Sequence, residues 1–172
     1  QARAAGQMVT ADQYPYTASS TSLSVLAVPR PYRQREHLLS ALQDPVEALK
    51  LRQGIAAELA PRDQGADLVV ASYAPNRNWQ GKNLVQLAEQ ERCTAVEIVL
   101  QMERNGGAQM VSFSINEAEV RLIMQQPFVA TASDGGAQQL EAQTQPHPRN
   151  YGCFPRKIGR YALRGQMVTL PQ

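Results

Sequence analysis

Short apolar runs alternate with helix-start signals along this chain, and that alternation constrains its fold more than any other feature. Met8 to Asp12, Leu68 to Tyr73, Met110 to Phe113 and Phe128 to Ala132 are brief and almost continuously apolar, as expected of strands covered on both faces. Between them, Asp44-Pro45-Val46-Glu47 joins a capping residue, a first-turn proline and a capping-box glutamate. Thr94-Ala-Val-Glu97 and Asn116-Glu-Ala-Glu119 repeat the signal; Val96, Val99 and Leu100 supply the apolar face of the first helix, and Val120, Ile123 and Met124 that of the second. A further helix is predicted over 33–43, where Leu38, Leu39 and Leu42 share a face. This order is that of an α/β fold with parallel strands. Thr17 to Ser22, small and hydroxylated, and Gln138 to Asn150, polar with two prolines, read as loops.

At 172 residues, 43% hydrophobic and 19% charged, the chain is long enough for one sizeable core. A net charge of +2 from 17 basic and 15 acidic residues gives no field strong enough to expect a nucleic-acid partner. Arg149, Arg156, Lys157, Arg160 and Arg164 thicken the basic charge near one end and read as a solvated helix face. Cys93 and Cys153 are too far apart in sequence to suggest a disulfide framework, and a cytoplasmic location is the expectation. No apolar run is long enough to span a bilayer, so no membrane partner is expected. Gln1 to Gly6 reads as the last turn of a helix and Thr169-Leu-Pro171 as the start of another, which predicts a fragment of a longer chain.

Chemistry is expected where strands end. Phe128 to Gly136 is a buried-type strand that delivers Asp134 and then breaks at two glycines. A carboxylate there serves as a metal ligand or general base; the bland alternative is a turn aspartate bonding its own backbone. Asp12-Gln-Tyr-Pro-Tyr16 ends the first strand with a carboxylate and two phenols, suited either to hydrogen-bonding a substrate or to packing the sheet rim. Ser19, Ser20 and Thr21 offer hydroxyls, but no Gly-x-Ser-x-Gly elbow supports a serine nucleophile. In Pro146-His-Pro-Arg149, prolines stiffen His147, and Arg149 is suited to bidentate carboxylate binding. There is no His-x-His, His-Glu-x-x-His or close Cys pair, so no metal ligands are assigned within the chain.

Val9-Thr-Ala-Asp-Gln-Tyr-Pro-Tyr-Thr-Ala18, Ala132-Ser-Asp-Gly135 and His147-Pro-Arg-Asn-Tyr-Gly-Cys-Phe-Pro-Arg156 together resemble, in that order, the N-acyl-D-amino-acid deacylase (D-aminoacylase) family of metal-dependent amidohydrolases. The resemblance is strong over 8–22 and 111–172 and weak from Leu23 to Ala108, apart from Gly81-Lys-Asn-Leu84. It implies a zinc-dependent hydrolysis of N-acyl-D-amino acids on a (β/α) barrel. Residues 1–28 would be a barrel strand and substrate loop, 29–108 an inserted α/β subdomain with its following helix, and 109–172 the last barrel strands with the catalytic loop and a C-terminal helix. Asp134 matches the aspartate that activates the metal-bound water and protonates the leaving amine. Tyr14 and Ser20 match the substrate-holding tyrosine and serine, and Arg149 is a further substrate-binding candidate. Ser112 stands where relatives acting on apolar D-amino acids are expected to carry an aromatic residue.

The family's histidine and cysteine zinc ligands would lie outside this chain, so the isolated chain is expected to be inactive, and exposed barrel edges would favour self-association. The alternatives are a cyclic-amide hydrolase of the hydantoinase or dihydroorotase kind, and a non-catalytic interaction domain.

Overall fold

A computed structural model describes residues 1–137 and 147–169. The chain divides into two compact units. One comprises 19–113, and the other the described residues of 1–18, 114–137 and 147–169.

In the second of these units, β1 (Ala11–Gln13) pairs in parallel with β5 (Val129–Thr131), Ala11 opposite Val129 and Gln13 opposite Thr131. Parallel pairing in this register brings the carboxyl ends of both strands to the same side. Between them in sequence runs α6 (Glu117–Met124), started by Asn116, whose side chain accepts the Ala118 N–H at 2.7 Å. Val120 and Met124 of this helix pack with Tyr161 and Val168 into a small core, and the Tyr161 hydroxyl donates to Glu117 Oε1 at 3.1 Å. Ile123, expected inside, is 41% exposed. Helix α7 (Arg149–Arg156) continues into a π-helical segment, Lys157–Arg164. The loop expected over 138–150 thus ends earlier: Arg149 and Asn150 are already helical, while 138–146 lies outside the described residues. The basic run is not a uniformly solvated face, because Lys157 is buried and the Arg149 side chain is 13% exposed.

The 19–113 unit carries a three-stranded antiparallel sheet in the order β2 (Ser19–Ser22), β4 (Gln109–Ser112), β3 (Leu68–Ser72). Two expectations are corrected by this sheet. Ser19 to Ser22 is a strand rather than loop, held by pairing with β4 despite its polar sequence, and β3 and β4 run antiparallel rather than parallel. Apolar runs covered on both faces do not encode strand direction.

Helix α1 (Leu23–Ala27) follows β2 directly, and α2 (Arg35–Ala41) falls inside the predicted 33–43 stretch. In α3 (Pro45–Leu59) the Asp44 carboxylate caps the first turn, accepting from Val46 and Glu47 N–H at 2.8 and 3.3 Å. Glu47 turns outward from the box expected of it and accepts from the Tyr32 hydroxyl at 2.8 Å. A reciprocal capping box occurs instead between Asn83 and Gln86 at the start of α4 (Leu84–Glu91). Thr94 caps α5 (Ala95–Arg104), accepting from Glu97 N–H at 3.2 Å, but the box expected there is not completed, because the Glu97 carboxylate pairs with Arg52. Leu51, Ile55 and Leu59 recur along α3 at helical spacing and are fully buried with Leu68, Val70, Trp79, Leu87 and Leu100.

Candidate active site

The parallel register of β1 and β5 builds the site. Past the end of β1 the chain turns through Tyr14-Pro15-Tyr16; past the end of β5, Ala132 N–H donates to Gln13 O at 3.3 Å, prolonging the pairing by one bond. Asp134 follows with φ +47°, a left-handed conformation uncommon for a residue with a Cβ. Asp12, Tyr14, Tyr16, Ile115 and Asp134 line one cavity of about 460 Å³. Its position, at the carboxyl ends of parallel strands, is where α/β folds place ligands.

Asp134 presents an accessible carboxylate, its side chain 69% exposed, and its Oδ2 lies 3.0 Å from Arg149 Nη1. That guanidinium carbon also stands 5.2 Å from the Tyr14 ring centroid. Two of the residues singled out from sequence, Asp134 and Tyr14, therefore meet at one cavity, with Arg149 touching both.

His147 organises the segment that carries Arg149. Its ring is buried, with Nδ1 accepting the Arg149 N–H at 3.0 Å and Nε2 lying 2.9 Å from Ala18 O. Because a carbonyl only accepts, this arrangement requires the neutral tautomer with hydrogen on Nε2. Burial lowers the His147 pKa and the nearby Arg149 charge reinforces that, while the bond to Ala18 acts in the opposite sense. Tyr16 packs edge-on against the imidazole at 5.2 Å between centroids, and its hydroxyl donates to Pro148 O at 3.2 Å. Burial pushes the Tyr16 phenol up. Gly152 is needed beneath this ring, since a Cβ there would sit 2.5 Å from the Tyr16 hydroxyl oxygen. Arg156 closes the far side, donating from Nε to Pro15 O at 2.6 Å with its guanidinium 4.8 Å from the Tyr16 ring centroid.

Ser20 and Ser112 belong to the other unit. Ser20 lies on β2 opposite Val111, and Ser112 ends β4 opposite Ser19. Ser112 is fully buried and its Oγ accepts from Arg62 Nη1 at 3.1 Å; the same nitrogen donates to Asp67 Oδ2 at 3.0 Å. The place of His147 beneath Tyr14 and Tyr16 was only hinted at by the flanking prolines, because nothing local in sequence predicts that its ring is buried. Among the described residues no three His, Cys, Asp or Glu side chains converge, so they do not by themselves fit a catalytic zinc ion. No helix among them is long and apolar enough to cross a membrane.

No family model matches the chain. An N-acyl-D-glutamate deacylase of Alcaligenes xylosoxydans xylosoxydans is 30% identical over 169 residues, covering 98% of this chain and 26% of the relative. A D-aminoacylase from the same organism is 26% identical over 129 residues, 68% of this chain and 25% of that one. The crystal structure of N-acyl-D-glutamate deacylase from Bordetella bronchiseptica, complexed with zinc and a phosphonate inhibitor that mimics the tetrahedral intermediate, matches with a TM-score of 0.65 and 26% identity, over 98% of this chain and 27% of its own. A D-aminoacylase structure described as defining a novel subset of amidohydrolases matches at 0.61 and 23% identity, again over 98% and 27%, and speaks for the fold alone.

The fold is thus that of the D-aminoacylase-type amidohydrolases. Within that class the chain is similar in sequence to N-acyl-D-amino-acid deacylases, and it spans about a quarter of the length of the relatives it matches.

Proposed function

We propose that this chain supplies the proton-transfer carboxylate and part of the substrate pocket of an enzyme that hydrolyses N-acyl-D-amino acids. The observation that carries the reading is the convergence of Asp134 and Tyr14 on one cavity at parallel strand ends, with Arg149 ion-paired to Asp134. Asp134 accepts a proton from the attacking water as the C–O bond forms, then delivers it to the amide nitrogen as the C–N bond breaks. The products are a carboxylate and the free D-amino acid. The Tyr14 hydroxyl donates to the substrate carboxylate or the scissile carbonyl, and Arg149 holds the amino-acid carboxylate, since a guanidinium's five N–H donors can serve two anions at once. Ser20 is assigned to substrate on the resemblance of its segment alone.

Zinc is bound in the Bordetella relative. The described residues bring no three ligands together, so the roles derived for this chain are substrate binding and proton transfer. The parallel β1–β5 pair is read as part of a (β/α) barrel, with 29–108 as an inserted subdomain and 109–172 as the segment carrying the catalytic loop. The reading includes a cytoplasmic enzyme that self-associates, for which the support is exposed apolar surface at Met8, Leu122, Phe154 and Leu163. Relatives named for N-acyl-D-glutamate and D-amino-acid deacylation favour open-chain amides over cyclic ones.

The test is release of free D-amino acid from a panel of N-acetyl-D-amino acids, acidic and apolar. The 172-residue chain, the full-length protein and its Asp134→Ala variant are compared. Turnover by the full-length protein alone is expected. A folded Asp134→Ala variant with undiminished turnover, or no turnover by the full-length protein on any member of the panel, would overturn the reading.

A further inference from the structure

The left-handed backbone of Asp134 needs something to hold it, and its own side chain does not: the carboxylate points to Arg149. The two residues that follow are clamped from α7. Gly136 N–H donates to Asn150 Oδ1 at 3.1 Å. At Gly135 the fit is close enough to exclude any side chain, since a Cβ would lie 2.7 Å from Asn150 Oδ1 and 2.9 Å from Asn150 Cα. Gly135 N–H is also engaged, by Ser133 Oγ at 3.2 Å. Asn150 is the immediate neighbour of Arg149, and both sit in the first turn of α7, whose entry is pinned by His147. One helical turn therefore grips the Asp134 segment twice, by its carboxylate through Arg149 and by its backbone through Asn150.

We propose that Asn150 is a positioning residue for Asp134: by accepting the Gly136 N–H and packing on Gly135, it fixes the backbone that aims the carboxylate into the cavity. The proposal rests on the role assigned to Asp134. A side chain held within a fraction of an ångström by such support loses rate, rather than binding, when the support goes.

The test is made in the full-length protein with Asn150→Ala, Asn150→Asp and Asp134→Asn, alongside amide hydrogen exchange at Gly136. Asn150→Ala is expected to lower kcat by about tenfold or more with KM changed less than about threefold, and to speed Gly136 exchange, while the thermal midpoint hardly moves. Asn150→Asp keeps the accepting oxygen and the shape, so kcat at its pH optimum returns to within about threefold of wild type. The added negative charge near Asp134 moves the acid limb of the rate profile to higher pH. Should Asn150→Ala fail to fold, Asn150→Ser, whose hydroxyl is too short to reach the Gly136 N–H, takes its place with the same expected loss of kcat and the same overturning result.

Unchanged kcat in Asn150→Ala with Asp134→Asn inactive overturns the positioning role and leaves Asp134 in place. An active Asp134→Asn removes the reading on which the proposal rests, and the proposal with it.

Discussion

The two units of this chain differ in what holds them together. The 19–113 unit buries twenty residues in a continuous apolar cluster, enough to order a sheet and several helices around it. Among the described residues of the other unit, four form the comparable cluster, and Met8, Leu122, Phe154 and Leu163 remain exposed. The candidate chemistry nevertheless lies in the weakly cored unit, where order around the cavity comes from polar links: Asp134 to Arg149, His147 to Ala18, Tyr16 to Pro148 and Arg156 to Pro15. A core supplies stability without direction, whereas ion pairs and hydrogen bonds aim particular atoms. The difference is one between a scaffold and a directed site.

The comparison is tested most severely at Asp134. Asp134→Asn in the full-length protein is expected to lower kcat/KM by about a thousandfold, in the range for losing a general acid-base group, with almost no change in unfolding midpoint because the side chain is exposed. A large loss of stability in that variant would make Asp134 a structural residue and remove the contrast. The reverse pattern is expected at Ile55, fully buried in the larger cluster: Ile55→Ala should cost about 3 kcal/mol by urea denaturation, from lost transfer energy and the cavity left behind. Turnover per folded molecule should be preserved.

How much of this was legible from sequence follows the same division. Helices α3, α5 and α6 begin where Asp44, Thr94 and Asn116 predict, because a cap is a bond between residues two or three apart. The Asn83 and Gln86 capping box is equally local, although its segment stands out in the sequence only by resemblance. Strand β2 was not legible, since Ser19 to Ser22 has neither apolar alternation nor bulk and exists through its pairing with β4, some ninety residues on. In the site, the placement of Asp134 at a strand end could be read from the apolar run and two glycines. Its contact with Arg149 could not, because the two residues stand fifteen positions apart and no local pattern in the sequence fixes where either side chain points.

A third test uses a buried acid in the well-cored unit. Glu103 on α5 is 7% exposed, and its Oε1 lies buried without a hydrogen-bond partner among the described residues. Burial raises its pKa to about 7 from an ordinary 4.5. Between those values the native state holds a proton that the unfolded state has released, so stability falls as pH rises through 4.5 and levels off above about 7. The ceiling on the loss is about 3 kcal/mol by linkage. Glu103→Gln should flatten that slope, giving a variant more stable than wild type at pH near 8 but not at pH near 4. A wild-type midpoint independent of pH over this window would show that Glu103 ionises freely.

The smallest effect separates the units most finely, through two caps of the same kind. Asp44→Ala removes the cap of α3 in the well-cored unit and Asn116→Ala that of α6 in the other, each costing about 1 kcal/mol by precedent. The consequences should nonetheless differ. Helix α3 is anchored by Leu51, Ile55 and Leu59, all fully buried, so its frayed first turn should lower the global midpoint without opening the helix. Helix α6 is anchored by Val120 and Met124 alone among its buried residues, so the same loss is a larger share of what holds it. Hydrogen exchange along α6 should therefore accelerate over the whole helix in Asn116→Ala, while in Asp44→Ala it accelerates only over the first turn of α3. Equal, end-confined acceleration in both variants would mean that α6 is as firmly held as α3, and the division between a cored scaffold and a polar-linked site would fail at this helix.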